Sequence, residues 1–262
     1  MVWVCTPEDV HASIAIDALR AGADVFCEKP LADSIESGQA IADEVRRTDR
    51  AFSVGYVLRC ESGINLIKTF IDEKRIGRVI AAEVCVGDYE TLVDYCKTDH
   101  ILRGKDKLVT DFSHEIDYLR WFFGEPAEVA AMSGRLGDFE KMPDPNIVEA
   151  ILRFESGVLV RLHLDYMQHP GRRSIILVGD KGRISYSVGE NCVEVQMLGE
   201  TRPERIQLTD QRDDWFRLEH TLFLEAAERG KPPMVSADCA LQTLKVSRAI
   251  IEAYGRKCTV TL

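Results

Sequence analysis

Two short segments carry the residue types that proton exchange at an oxygen requires. The first is Cys27-Glu28-Lys29-Pro30-Leu31, in which Lys29 closely follows the short apolar run 24–27. A lysine at the end of a strand can donate to an oxygen and stabilise negative charge developing on it. The second is Asp111-Phe112-Ser113-His114-Glu115-Ile116-Asp117, on a stretch with helical periodicity. His114 is the candidate base, since an imidazole titrates near neutral pH. Helical spacing puts it one turn from both Asp111 and Asp117, so either carboxylate can orient the ring or contact a ligand. Plainer readings stand beside these. Lys29 can be a surface lysine, His114 a satisfied helix histidine, and Asp117 the solvated partner of Arg120 in an ion pair worth little. Glu28 is either a ligand contact or the group that fixes Lys29.

A third cluster, Asp165-Tyr166-Met167-Gln168-His169-Pro170-Gly171-Arg172-Arg173, links two expected strands and gathers positive charge. Arg172 or Arg173 can clamp a carboxylate or phosphate; an exposed turn with ordinary arginines is the equal alternative. No metal site is expected. The eight cysteines form no C-x-x-C pair, and Cys96 with His100, four apart, lacks the second ligand pair of a structural zinc site. Reduced thiols of a cytosolic protein are the simpler account.

Composition narrows the function classes. The chain has 262 residues, 45% hydrophobic and 29% charged, which suits a soluble globular protein. Thirty-three Lys+Arg against 43 Asp+Glu leave a formal charge of −10. A general nucleic-acid or anionic-membrane binder needs a basic footprint instead. No apolar run approaches the ~18 residues of a membrane span. The first residues lack the basic and long apolar regions of a signal peptide, so a cytoplasmic location is expected.

The elements that must position these residues follow from periodicity. Residues 1–5 read as a short buried strand stopped by Thr6-Pro7, with Pro7 suited to the first turn of a helix. Val10, Ile14, Ala15, Ala18 and Leu19 then repeat at helical spacing up to Ala21-Gly22. A second strand covers 24–27. Asp33 or Ser34 caps a helix running to about Arg47, and 51–54 give a third strand. Alternating short strands and helices signal parallel βαβ units, whose right-handed crossovers put both helices on one face. From Glu61 the pattern changes. A helix carries Ile64, Leu66, Ile67, Phe70 and Ile71; an extended run covers 79–87; a helix covers 111–123. Strands are expected near 127–133, 146–154, 157–165, 173–178, 182–187 and 191–197. Hairpin-type turns stand at Glu155-Ser156-Gly157 and Asp180-Lys181-Gly182. Two helices, about 214–229 and 238–254, and a short strand at 258–262 close the chain.

These residues resemble those of the glucose–fructose oxidoreductase / inositol dehydrogenase (Gfo/Idh/MocA) family. The resemblance is carried by Thr6-Pro7 with His11, by Glu28-Lys29-Pro30 some 20 residues later, and by the block from Asp111 to Trp121 with Gly124-Glu125-Pro126. It implies NAD(P)-dependent hydride transfer at a secondary alcohol or ketone of a sugar or polyol, with NAD or NADP as cofactor. Lys29, His114 and Asp111 would be catalytic. Thr6, Pro7, His11, Glu28, Lys29 and Pro30 would line the cofactor, and Asp117, Arg172 and Arg173 the substrate. The implied fold class is α/β plus α+β: a partial Rossmann parallel sheet, then a mostly antiparallel open sheet with helices. The expected domains are 1–57, the C-terminal half of a nucleotide-binding domain, and 58–262, a substrate-binding and assembly domain. A homo-oligomer through the open sheet face is implied, with no nucleic acid or membrane partner.

Two departures temper that pattern. No G-x-G-x-x-G occurs anywhere in the chain, so the loop that cradles a dinucleotide pyrophosphate is missing from it. Activity of this chain as an enzyme therefore depends on completion of the nucleotide site; the alternative is a truncated, inactive binding or assembly module. The family also carries a glycine run before the catalytic Asp, where this sequence reads Lys105-Asp106-Lys107-Leu108-Val109-Thr110. Asp111 lies three residues before His114, whereas several subfamilies space the pair by four. On a continuous helix that one-residue difference rotates Asp111 by about 100°.

Overall fold

Parallel pairing of three very short strands begins the architecture, as the alternating pattern predicts. The computed structural model describes residues 1–89, 106–138 and 142–262. These form two compact units, 1–61 with 210–247 and 62–209 with 248–262.

In the first unit, β1 (Val2–Val4), β2 (Val25–Glu28) and β3 (Phe52–Gly55) make a parallel sheet in that order. Val4 lies opposite Cys27, and Cys27 opposite Val54. The crossover helices are α1 (His11–Arg20) and α2 (Ile35–Thr48). Ser34 caps α2, its side chain accepting from the Ser37 N–H at 3.1 Å, which satisfies one of the orphan donors of the first turn. Pro7 does not enter α1. Its carbonyl accepts from Val10 N–H, so Pro7 opens a turn ahead of a helix that starts at His11.

One sheet face presents Val4, Val25, Cys27, Phe52 and Val54 to Ala15 and Leu19 of α1 and Ile41 and Ala42 of α2, in a single buried cluster. Both crossover helices thus lie on one side. The return of the chain at 210–247 was not legible from a cut between 57 and 58. It supplies α6 (Arg212–Arg229) and the first half of α7 (Ala237–Arg256). Ala240, Leu241 and Leu244 of α7 join the same cluster. The opposite sheet face is covered by α6, where Phe223 packs edge-on against Trp3 and Phe26, and His220 against the same two rings. A parallel sheet buried on both faces needs such a second layer.

The second unit holds α3 (Ser62–Asp72), β4 (Val79–Gly87), α4 (Lys107–Asp111), α5 (Ser113–Phe123) and β5 (Pro126–Gly134). The strands β6 (Ile147–Phe154), β7 (Leu159–Asp165), β8 (Arg172–Gly179), β9 (Gly182–Ser187) and β10 (Cys192–Met197) follow. The last strands are β11 (Glu204–Gln207) and β12 (Val260–Thr261). Among the described residues they build one nine-stranded sheet in the order β11-β10-β9-β8-β4-β7-β6-β5-β12. Every pairing is antiparallel except β4 with β7.

Alternation sorts the two faces of this sheet. Val160, Leu162 and Leu164 of β7 are buried, while Leu159 just before them and Arg161 between them are exposed. On the buried face α3 lies close to β9. A Cβ on Gly63 would stand 2.2 Å from Cζ of Tyr186, so only glycine admits that ring. Two expectations are corrected here. The stretch 111–123 is not one helix: α4 ends at Asp111, Phe112 takes φ −93° and ψ 28°, and α5 starts at Ser113. The edge strand β11 was unexpected, because Glu204-Arg205-Ile206-Gln207 shows no apolar alternation.

Candidate active site

The strand-end residues of the first unit are tied together by one histidine. His11, 1% exposed, sits in the first turn of α1, with Nε2 2.8 Å from the Thr6 carbonyl and Nδ1 3.0 Å from the Pro30 carbonyl. The loop after β1 and the loop after β2 are therefore braced by a single side chain. Thr6, Pro7, Lys29 and Pro30 all lie at the C-terminal ends of parallel strands, where α/β sheets bind ligands. His11 spends both ring nitrogens on this brace.

Glu28 closes β2 on the face covered by α6. A Cβ on Gly55 would stand 3.1 Å from Glu28 Oε2, so the glycine makes room for that carboxylate. A residue that sequence reasoning missed faces the same charge. Glu219 of α6 is 2% exposed, and its Oε1 has no hydrogen-bond partner among the described residues. Burial, with the charge of Glu28 adding to it, pushes the Glu219 carboxyl up to about 8. It is therefore protonated at neutral pH.

In the second unit the candidate carboxylate and histidine flank the break at Phe112. Asp111 is half-buried at the end of α4, and its Oδ2 accepts the hydroxyl of Tyr166. His114 is half-buried in the first turn of α5. Lys107, four residues before Asp111, is also half-buried. Burial lowers its ammonium, Asp111 raises it and Arg248 lowers it further. Asp117 is only 1% exposed, which overturns the solvated surface pair. Arg120, itself buried, directs its guanidinium onto Glu125.

The arginine cluster divides. Arg172 and Arg173 are neighbours on β8 and so point to opposite sheet faces. Arg172 is exposed, with Nε 3.0 Å from Ser174 Oγ. Arg173 donates from Nε to Glu115 Oε1 at 2.7 Å. Asp165, at the end of β7, accepts from the Met167 and Gln168 backbone N–H groups, from Gln168 Nε2 and from His163. Burial alone would raise the Asp165 carboxyl, but these hydrogen bonds carry it below the usual carboxylate range. Among the described residues no group of three His, Cys, Asp or Glu side chains is disposed to hold a metal ion. Cys96 and His100 lie outside the described residues. No described helix is long and apolar enough to cross a membrane.

The donor set suits the nicotinamide side of a dinucleotide: polar groups converge at parallel strand ends, and the two loops are held in fixed relation. The pyrophosphate side would need a Gly-rich loop, and none occurs in the 262 residues.

The chain is similar to known oxidoreductases over nearly its whole length. The chain is 24% identical to 1,5-anhydro-D-fructose reductase of Ensifer adhaerens, over 96% of this chain and 76% of the relative. It is 28% identical to inositol 2-dehydrogenase of Rhizobium meliloti, over 100% of this chain and 80% of the relative. Its fold superposes on an oxidoreductase from Agrobacterium radiobacter solved with NAD+, L-tartaric acid and magnesium. That match has a TM-score of 0.90 at 17% identity and covers all of this chain and 79% of the other. Residues 1–56 match the oxidoreductase family with NAD-binding Rossmann fold, and residues 64–185 match the GFO/IDH/MocA C-terminal domain. With both characteristic domains matched in order along one chain, the protein belongs to the Gfo/Idh/MocA family of NAD-binding oxidoreductases.

Proposed function

We propose that this chain works in the NAD(P)-dependent oxidation or reduction of a secondary alcohol or ketone on a sugar or polyol. The observation that carries the reading is the brace at the strand ends, in which His11 holds the Thr6 and Pro30 carbonyls on either side of the β1 and β2 termini. Two of the curated relatives are named for an anhydro-sugar and for inositol, which supports the substrate class.

The cofactor, when bound, accepts or returns the hydride at its nicotinamide. The chain supplies the rest. In the oxidative direction the substrate carbon loses hydride, the hydroxyl proton passes to His114, and the C–O bond becomes a carbonyl. Lys29 stabilises the negative charge that gathers on the oxygen as the proton leaves and before the hydride has gone. Asp111 orients the hydroxyl or the imidazole. Thr6, Pro7, Glu28 and Pro30 line the cofactor side, with His11 bracing it. Asp117 belongs to the substrate side, with whichever of Arg172 and Arg173 faces it, because the two point to opposite sheet faces.

Calorimetric titration of the chain with NAD+ and with NADP+ tests the first half of this reading, and a screen of sugars and polyols tests the second. Micromolar binding of either cofactor is expected. Lys29→Ala and His114→Ala should each lower turnover by at least about a hundredfold. Absence of cofactor binding would leave the binding or assembly module as the role of this chain, whereas full turnover in both variants would show that Lys29 and His114 do not carry the chemistry.

We also propose a homo-oligomer through the exposed face of the nine-stranded sheet. That face mixes apolar side chains, including Met132 at 79% exposure with Ile151, Leu159 and Val178, with ion pairs such as Arg153–Glu128 and Arg161–Glu83. Such a surface is self-complementary in principle. Sedimentation of wild type and Ile151→Glu distinguishes an oligomer through this face from a monomer.

A further inference from the structure

We propose that Tyr166 is the positioning residue for Asp111: its hydroxyl holds the carboxylate in place from the end of β7 and so compensates for the three-residue spacing to His114. This rests on the functional reading above, in which Asp111 serves the proton-transfer site.

The spacing would turn Asp111 away from the family's usual carboxylate position if 107–123 were one helix. It is not one helix. The backbone leaves helical geometry at Phe112, between α4 and α5, so Asp111 is set by whatever holds the end of a five-residue helix. So short a helix has almost no stability of its own.

Both ends of α4 are held by tyrosine hydroxyls. Tyr254 of α7 donates to Asp106 Oδ1 at 2.7 Å just before α4, and Tyr166 donates to Asp111 Oδ2 at its last residue. Tyr166 is fully buried, and its ring lies against Phe112 with centroids 5.5 Å apart. Its own backbone is fixed in turn. The Tyr166 N–H donates to the Asn146 carbonyl at 3.1 Å, and the Asn146 side chain bonds both N–H and C=O of Leu136. On either side of Tyr166, Asp165 gathers the N–H groups of Met167 and Gln168. A phenol anchored this way has little freedom left, and a hydroxyl-to-carboxylate bond is among the stronger neutral-donor bonds. It holds one carboxylate oxygen and so restricts where the other can point.

Two measurements on the full chain test this. In the first, solution NMR follows the hydroxyl proton of Tyr166, assigned by its loss in Tyr166→Phe. A slowly exchanging resonance in wild type is expected, displaced in Asp111→Asn. No such proton, or one indifferent to Asp111→Asn, would overturn the proposal whether or not the chain turns over a substrate. In the second, turnover is measured on the sugar or polyol found in the screen. Tyr166→Phe should lower kcat by roughly 10- to 100-fold, with KM changed by less than about threefold. It should cause little further loss in an Asp111→Asn background. Unchanged kcat, or losses that multiply, would also overturn it. If Asp111→Asn itself leaves turnover intact while the NMR coupling holds, the functional reading of Asp111 fails and the anchoring by Tyr166 stands.

Discussion

Arg173 on β8 donates from Nε to Oε1 of Glu115 on α5 at 2.7 Å, and Glu115 is fully buried. The carboxylate lies next to His114 in sequence, so this ion pair fixes the helix that carries the candidate base to the sheet beneath it. A charge withdrawn from water is tolerated only when paired, and removal of one partner leaves the other uncompensated. Arg173→Ala should therefore cost on the order of 3 kcal/mol, read as a lower urea midpoint at unchanged slope. A shift within about 0.5 kcal/mol, the range of an ordinary surface substitution, would show that the pair does not anchor α5.

The brace made by His11 has a local consequence. Both ring nitrogens of His11 face carbonyl oxygens, so His11→Ala removes the side chain that spans Thr6 and Pro30. Loss of a buried hydrogen-bonded bridge costs about 1–3 kcal/mol. Amide hydrogen exchange at the ends of β1 and β2 should accelerate by about 5- to 150-fold in His11→Ala, with the second unit unaffected. Uniform acceleration across both units would mean that His11 supports the whole chain instead of these two loops.

How far the sequence could be read depended on whether a feature was local. Val158–Leu164 alternates cleanly in sequence, and Leu159–Asp165 is a strand with one buried face; Ser34 precedes a helical run and caps it. The βαβ order of the first 55 residues followed from periodicity, and the placement of both crossover helices on one face from crossover handedness. The misses lie where distant segments decide. Phe112-Ser113 is compatible with a continuous helix, and the break becomes intelligible only once Tyr166, 55 positions away, takes the carboxylate before it. Arg172 and Arg173 are interchangeable clamp candidates in the sequence until the strand places them on opposite faces. Glu219 looks like any surface carboxylate of a charged helix. Nothing near it in sequence says that α6 returns to the first sheet and buries it.

Packing on the second sheet gives a test that is independent of any site. Gly63 in α3 accepts the ring of Tyr186, and a Cβ there would lie 2.2–2.7 Å from three of its atoms. Tyr186 is itself buried. Gly63→Ala should destabilise the chain by about 1–3 kcal/mol through overpacking, despite the better helix propensity of alanine. Increased thermal stability in Gly63→Ala would mean that α3 sits farther from β9 than these distances state.

Glu219 gives the pH dependence a definite sign. Its carboxyl is raised from the ordinary 4.5 to about 8, by burial first and by Glu28 second. The folded state therefore holds a proton that the unfolded chain releases above about pH 4.5. Stability from this group is complete below that pH, declines as pH rises, and levels off above about pH 8. The slope reaches at most about 1.4 kcal/mol per pH unit within the window. Most carboxylates behave in the opposite way, losing stability as they are protonated, so the contribution of Glu219 is distinguishable from theirs. Glu219→Gln keeps the shape of the protonated acid and cannot ionise. Urea midpoints taken every half unit between pH 5 and 8.5 should fall with pH in wild type and much less in Glu219→Gln, with the variant the more stable at the alkaline end. Parallel curves for the two proteins would mean that Glu219 titrates in water like any exposed carboxylate, and that α6 does not seal it against the sheet.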